Sequence, residues 1–418
     1  MSDSFVRGVQ RVGTFLRDAW LMLGSVLMIL IIIELAYRGQ SGIRSALHSA
    51  KGPGTVRSPY ADSAWFPPYN REYEATFHEH WKPFVYFRRG PYSGSFINVD
   101  SLGHRRTVSG VAMAPASDTV RIFFFGGSTM WGTNLRDSST IASVALQQLA
   151  ASLPKGVDVS VVNFGESGYV FTQELLELEL QLRAGNVPDV VLFYDGINDM
   201  AAAVQYGAAG VSQNESNRSR EFEFGRAISG TESGVGSDLP AAGAIGTAIL
   251  QRVQFAQRLL AAVAKPVKMP HPADWLGRDV ARIYEANVKI VEALSHAYGF
   301  RALYVWQPAL YSSAKRLTPF EQALGVREDA NLLYAQSRLM METTMPIVDS
   351  AMKVTVGGRF ISEVPLFTGD TMSVFTDEVG HTTEKAIPPI VGGFLPVLRQ
   401  LVDSAHVSRS RSAPKNKE

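Results

Sequence analysis

Apolar runs too short for helices punctuate the chain near Val120, Val159, Val190 and Arg301. Between and after them lie stretches with apolar residues at helical spacing, near Ser139 to Leu153, Phe171 to Ala184, Asp279 to Tyr298 and Glu328 to Val354. Strand-like runs with little polar alternation are buried on both faces, and alternating β and α segments make such strands parallel. The expected fold is therefore α/β: a three-layer parallel sheet with helices on both faces.

The flanks read differently. Ala19 to Ala36 is almost unbroken in apolar residues, interrupted by Glu34 near its end. At about 1.5 Å per residue the run is just long enough to span a bilayer, with Trp20 and Tyr37 placed as interfacial aromatics. A single transmembrane helix is expected over residues 19–37, behind a short N-terminal segment, 1–18. A cleaved signal peptide is the rival reading, but no convincing small-x-small cleavage site follows the run. Arg7, Arg11 and Arg17 precede it and Arg38, Arg44, Lys51 and Arg57 follow, so charge alone does not orient it.

Residues 38–70, rich in Gly, Ser, Pro and Tyr, read as a linker, and residues 71–403 as the main domain. At its start, Trp81–Arg89 and Ser95–Asp100 flank a Gly-Pro-Tyr-Ser-Gly turn and suggest a β-hairpin. Residues 201–275 form an insertion, Gly/Ser/Asn-rich at first and helical from Ala241 to Ala264, fit for a lid or a surface excursion. Residues 404–418 read as a basic, disordered tail.

Composition narrows the chemistry. The 418 residues carry a formal net charge of +1, which gives no reason to expect nucleic acid as a partner. With no cysteine there is neither a disulfide framework nor a thiol nucleophile. His104, His271 and His296 lack metal-ligand spacing, so no metal site and no cofactor is expected.

The candidate chemistry sits where strands end. The run Val120–Phe125 stops at Gly126-Gly127-Ser128, ahead of a helical segment. Glycines permit a sharp turn there, and a helix N-terminus offers N–H groups to developing negative charge. Ser128 is thus a candidate nucleophile. Two further runs end in Asn163-Phe164-Gly165-Glu166-Ser167-Gly168 and in Asp195-Gly196-Ile197-Asn198-Asp199. Near the C-terminus stands Phe375-Thr376-Asp377-Glu378-Val379-Gly380-His381. A serine hydroxyl needs an imidazole to take its proton, and a carboxylate on the other ring nitrogen fixes the tautomer. His381 with Asp377 or Glu378 would serve.

Four blocks in this order resemble the SGNH hydrolases, the GDSL-type esterase and lipase superfamily, over about Val120 to Leu401. The resemblance implies a flavodoxin-like fold, Ser128 as nucleophile, His381 as base, and Gly168 and Asn198 as oxyanion-hole donors beside the Ser128 N–H. Two positions depart from the pattern. Gly127 stands where the family has aspartate. Strict Asp-x-x-His spacing points to Glu378, whereas the Phe-x-Asp match favours Asp377 with Gly380 inserted; Asp377 is preferred.

The expected activity is that of a membrane-anchored serine esterase working through an acyl-enzyme. O-acyl, chiefly O-acetyl, esters of envelope glycans are the implied substrates, with lipids second. Resemblance to anchored envelope esterases implies a periplasmic or other extracytoplasmic catalytic domain on a single-pass anchor in the bilayer. The same site could transfer the acyl group to a sugar hydroxyl. A non-catalytic subunit of a larger membrane complex, with partner proteins, is the alternative from another class.

Overall fold

In the computed structural model, the described residues are 57–109, 119–154, 157–213, 215, 218–219, 271–310, 315–329, 332–377 and 379–412, with scattered positions between 17 and 32. The chain divides into two compact units, one of residues 1–55 and 219–266 and the other of 56–218 and 267–418. In the first, the described positions between 17 and 32 are helical, and Trp20, Leu21, Met22, Met28 and Ile32 are exposed. The remainder of the expected 19–37 anchor and the stretch from Ala241 to Ala264 lie outside the described residues. Among the described residues no helix is long and apolar enough to cross a membrane.

The second unit begins inside the expected linker. Helix α1 (Phe66–Ala75) carries proline in its first turn, where a missing N–H costs nothing. Its buried Tyr69 packs with Ile97, Val99 and Trp131, and Trp65, Phe66, Tyr73 and Phe96 close around them. This aromatic burial ties residues 57–70 to the body, so the linker is shorter than its composition suggested.

The expected hairpin becomes two. Strand β1 (Glu79–Lys82) pairs antiparallel with β2 (Tyr86–Arg89), Trp81 opposite Phe87, and β3 (Tyr92–Ser93) pairs with β4 (Asn98–Val99). The first turn passes through Phe84 at φ +71°. The second is held by Glu72 of α1, whose carboxylate accepts N–H bonds from Ser95, Phe96 and Ile97 at 2.8, 2.9 and 3.0 Å. No local pattern announces that contact.

The central sheet has five parallel strands: β5 (Val120–Gly126), β6 (Val159–Asn163), β7 (Val190–Asp195), β8 (Arg301–Trp306) and β9 (Phe360–Ser362), in the order β6-β5-β7-β8-β9. Helices α2 (Ser128–Trp131), α3 (Ile141–Ser152), α4 (Phe171–Arg183), α5 (Ile197–Tyr206), α6 (Ala273–Tyr298), α7 (Pro319–Asp329), α8 (Leu332–Thr355) and α9 (Ile387–Ser412) connect and cover it. Ile122, Phe124, Leu192 and Tyr194 face α3 and α9, whereas Phe123, Phe125, Val191 and Phe193 face α4, α6 and α8. Strand residues on both sides are buried, which is why the runs lack polar alternation. The three-layer α/β expectation holds.

Several boundaries and elements differ from the sequence reading. Helix α5 runs on to Tyr206, where Gly207 ends it in the left-handed conformation, and α6 begins at Ala273, so residues 201–206 and 273–275 belong to core helices and not to the insertion. The helical stretch expected from Glu328 to Val354 is α8, Leu332–Thr355, and α7, Pro319–Asp329, is a further helix ahead of it that was not foreseen. Strand β9 was not foreseen because three residues carry too little pattern. The expected disordered tail is helical to Ser412: Ala405 is buried, and Arg409 donates to the Thr119 carbonyl and pairs with Asp189 at 2.8 Å.

Candidate active site

Strand β5 ends at Gly126, and Gly127, in a non-helical conformation, caps the one-turn helix α2 that starts with Ser128. The half-buried serine therefore sits at the carboxyl end of an inner strand, where ligands of open α/β sheets bind. Across from it a tight loop presents His381. Phe375 and Thr382 bridge its ends, and the Thr376 N–H donates to the His381 carbonyl at 2.8 Å. Gly380 closes the loop at φ +86°, a conformation that disfavours any side chain, and a Cβ there would overlap Ile197 Cδ1. The extra residue that disturbed the acid-to-histidine spacing is thus the one that makes the turn.

Within this loop Asp377 Oδ1 accepts N–H bonds from Val379 at 3.2 Å and His381 at 3.1 Å. Its Oδ2 lies 2.6 Å from His381 Nδ1, and His381 Nε2 lies 2.7 Å from Ser128 Oγ. A carboxylate only accepts, so Nδ1 carries the proton and Nε2 is free to accept from the serine O–H. Glu378, the other acid considered, lies outside the described residues. Asn134 joins the two loops, its Nδ2 donating to Thr376 Oγ1 at 2.8 Å and to Asp377 Oδ2 at 3.4 Å.

Behind the loop, buried Glu321 accepts from the Val374 and Phe375 N–H groups at 2.8 and 3.1 Å and pairs with buried Lys315 at 2.8 Å. Burial pushes this carboxyl up, but Lys315 and the backbone donors outweigh burial and hold it below its ordinary value. Glu321 lies on α7, more than fifty residues before the loop it holds, and nothing in the sequence joins the two.

Gly168 follows β6 with φ +76°, and Asn198 is the second residue of α5. The Asn198 amide crosses between their loops, Nδ2 donating to the Tyr169 carbonyl at 2.8 Å. A Cβ on residue 127 would overlap that same Nδ2. Gly127 in place of aspartate is therefore matched to where the asparagine lies. The structure brings Ser128, Gly168, Asn198, Asp377 and His381 to one end of the sheet. Neither the Ser128 nor the Gly168 N–H is taken by a backbone carbonyl among the described residues.

Two supports went unseen in the sequence. Buried Arg89 donates from its backbone N–H to Glu166 Oε2 at 2.9 Å and from Nη2 to Ser167 Oγ at 2.7 Å, while its guanidinium lies 3.9 Å over the Trp131 ring. The β1–β2 hairpin thereby pins the loop that carries Gly168. Beneath the site, Glu174, Asp195 and Asp199 are buried together; burial, and then their mutual repulsion, pushes Glu174 and Asp195 well above the usual carboxylate range. Burial likewise pushes Asp199, which accepts from the Phe171 N–H at 3.2 Å, up to about 7. Gln307, just past the end of β8, is buried with its Nε2 3.5 Å from Thr129 Oγ1.

No family model matches the chain, and no curated protein matches it. Among solved structures, TesA is similar at 14% identity, covering 67% of this chain and 99% of its own, with a TM-score of 0.34. A lipolytic protein of the G-D-S-L family from Veillonella parvula DSM 2008 shares 14%, covering 67% of this chain and 98% of its own, with a TM-score of 0.33. The acetylxylan esterase Axe2 from Geobacillus stearothermophilus shares 13%, covering 69% and 96%, with a TM-score of 0.33. Likeness at this level assigns no activity, which has to be argued from the site.

Proposed function

We propose that this chain is a serine hydrolase that cleaves esters through an acyl-enzyme, with Ser128 as nucleophile, His381 as general base and Asp377 as its orienting acid. The observation that carries this reading is the continuous relay of 2.6 Å from Asp377 to His381 and 2.7 Å from His381 to Ser128. As the Ser128 oxygen attacks the ester carbonyl, its proton passes to His381 Nε2, and Asp377 steadies the imidazolium. The carbonyl oxygen becomes an oxyanion met by the Ser128 and Gly168 N–H groups and the Asn198 amide. His381 then protonates the departing alkoxide. Water, deprotonated by the same imidazole, releases the acid and restores the serine.

Fluorophosphonate labelling of the full chain tests this. Labelling that disappears in both Ser128→Ala and His381→Ala is the expected result. No labelling of folded wild-type protein would favour a non-catalytic role in a larger membrane assembly.

The substrate reading rests on the resemblance and on the apolar run: O-acetylated envelope glycan first, lipid second, with residues 19–37 as a single anchor holding an extracytoplasmic catalytic unit. The full chain should remain with membranes through an alkaline carbonate wash, and a chain lacking residues 1–37 should be released. Release of the full chain would refute the anchor. Product analysis with an added glycan acceptor separates hydrolysis, which yields only free acid, from acyl transfer.

A further inference from the structure

The Asn198 side chain has a partner that no motif contains. Gln213 lies seven residues beyond the end of α5, and its Nε2 is 3.2 Å from Asn198 Oδ1. The polarity of this pair is forced from one side. The Tyr169 carbonyl can only accept, so the amide atom 2.8 Å from it must be Nδ2, and Oδ1 must face Gln213. Gln213 must then present its NH₂ to Asn198. Its own Oε1 turns toward Gly168, 3.4 Å from where a Cβ on that residue would stand. One N–H of Asn198 is thereby consumed by Tyr169 and its carbonyl by Gln213, leaving the second N–H for a substrate oxygen.

Gln213 is itself held. Arg218 Nη1 donates to the Gln213 carbonyl at 2.9 Å and to Ser212 Oγ at 2.7 Å, and Ser212 Oγ donates to Glu215 Oε2 at 2.7 Å. This small network rests on the β1–β2 hairpin. Tyr86 donates its O–H to Glu215 Oε1 at 3.2 Å, and the Arg218 guanidinium lies 4.3 Å over the Tyr86 ring. The same hairpin pins the Gly168 loop through Arg89, so both walls of the oxyanion pocket are referred to one support.

We infer that Gln213 is a positioning residue for the oxyanion hole: by donating to Asn198 Oδ1 it joins the Tyr169 carbonyl in holding the amide in the one orientation that points an N–H, and not a carbonyl oxygen, at the developing negative charge. The inference rests on the serine hydrolase reading above. Without this donor only the Tyr169 carbonyl opposes a half-turn of the amide, and the rotated form repels an oxyanion.

Steady-state hydrolysis of p-nitrophenyl acetate by the full chain tests it, with the rate of Ser128→Ala subtracted. In Gln213→Ala, kcat falls ~10- to 100-fold and KM stays within about twofold, because the lost interaction acts on the transition state. Asn198→Ala loses ~100-fold or more, and adding Gln213→Ala to it costs nothing further, since the two residues act as a unit. Gln213→Glu adds a signature that a merely structural role would not move. An ionised glutamate can only accept, so it repels Asn198 Oδ1 and works against the orientation the Tyr169 carbonyl requires, whereas a protonated one donates as glutamine does. The ratio of Gln213→Glu to wild-type kcat should therefore rise as pH falls toward about 5, close to the ordinary glutamate range. A kcat for Gln213→Ala within twofold of wild type, losses that multiply in the double variant, or a pH-independent ratio would each overturn the inference. Wild type indistinguishable from Ser128→Ala in both hydrolysis and fluorophosphonate labelling would sink the hydrolase reading, and this inference with it.

Discussion

At the scale of single residues, the site is set by which atoms can only donate and which can only accept. Asp377→Asn keeps the shape of the acid but can offer its NH₂ to His381 Nδ1, stabilising the tautomer whose Nε2 already holds a proton and cannot take one from Ser128. A loss of kcat of ~10³- to 10⁴-fold is expected, with the fold unchanged by circular dichroism. Gly127→Asp restores the aspartate common in the resembled family, yet it should lower activity ~10-fold or more by pushing the Asn198 amide aside. Activity equal to wild type in Gly127→Asp would show that the amide can shift at no cost. Ser128, Gly168 and Asn198 were legible in the sequence because each follows an apolar strand, and Asp377 and His381 because an acid stands shortly before a histidine; all five come together. Gln213, Arg89 and Glu321 were not legible, because they act through partners far along the chain and belong to no periodic pattern.

At the scale of elements, the contacts between helices and loops carry their own pH dependence. Asp199 on α5 accepts the first N–H of α4, and burial pushes its carboxyl from an ordinary 3.8 up to about 7. Folding favours the protonated form, so its contribution is fully present below about pH 4 and is lost as pH rises through about 7. Asp199→Asn keeps the acceptor and cannot ionise. Its stability relative to wild type, measured by urea unfolding, should rise steadily between about pH 4 and 7, by a total on the order of a few kcal/mol. A flat difference across that range would mean that Asp199 is not held protonated. The sequence revealed the helices and the long strands through their periods. It hid α7, the three-residue β9 and the double hairpin, whose second turn is held by a distant partner, Glu72.

At the scale of the whole molecule, both ends of the second unit are fastened to its body. Tyr60 receives the Glu384 N–H at 2.7 Å, just past His381, and Arg409 reaches Asp189 at the start of β7. Removing residues 404–418 should lower the melting temperature by several degrees, since it deletes buried Ala405 and the Arg409 contacts; an unchanged melting temperature would show that the last turns of α9 are ornamental. The strand order has a further consequence, for the history of the molecule and not its final state. β5, β6 and β7 follow one another closely, but more than a hundred residues separate the end of β7 from the start of β8, its neighbour in the sheet. Closing so long a loop carries an entropic cost that grows by about 0.6 kcal/mol for each doubling of length, and non-local pairing is slow. The half of the sheet that bears Ser128 and Asn198 should acquire protection from hydrogen exchange first, with β8, β9 and the His381 loop following. A newly made chain would then hold Ser128, Gly168 and Asn198 in place for some time before His381 reaches them and, on the proposed reading, would remain chemically silent until its last third has docked.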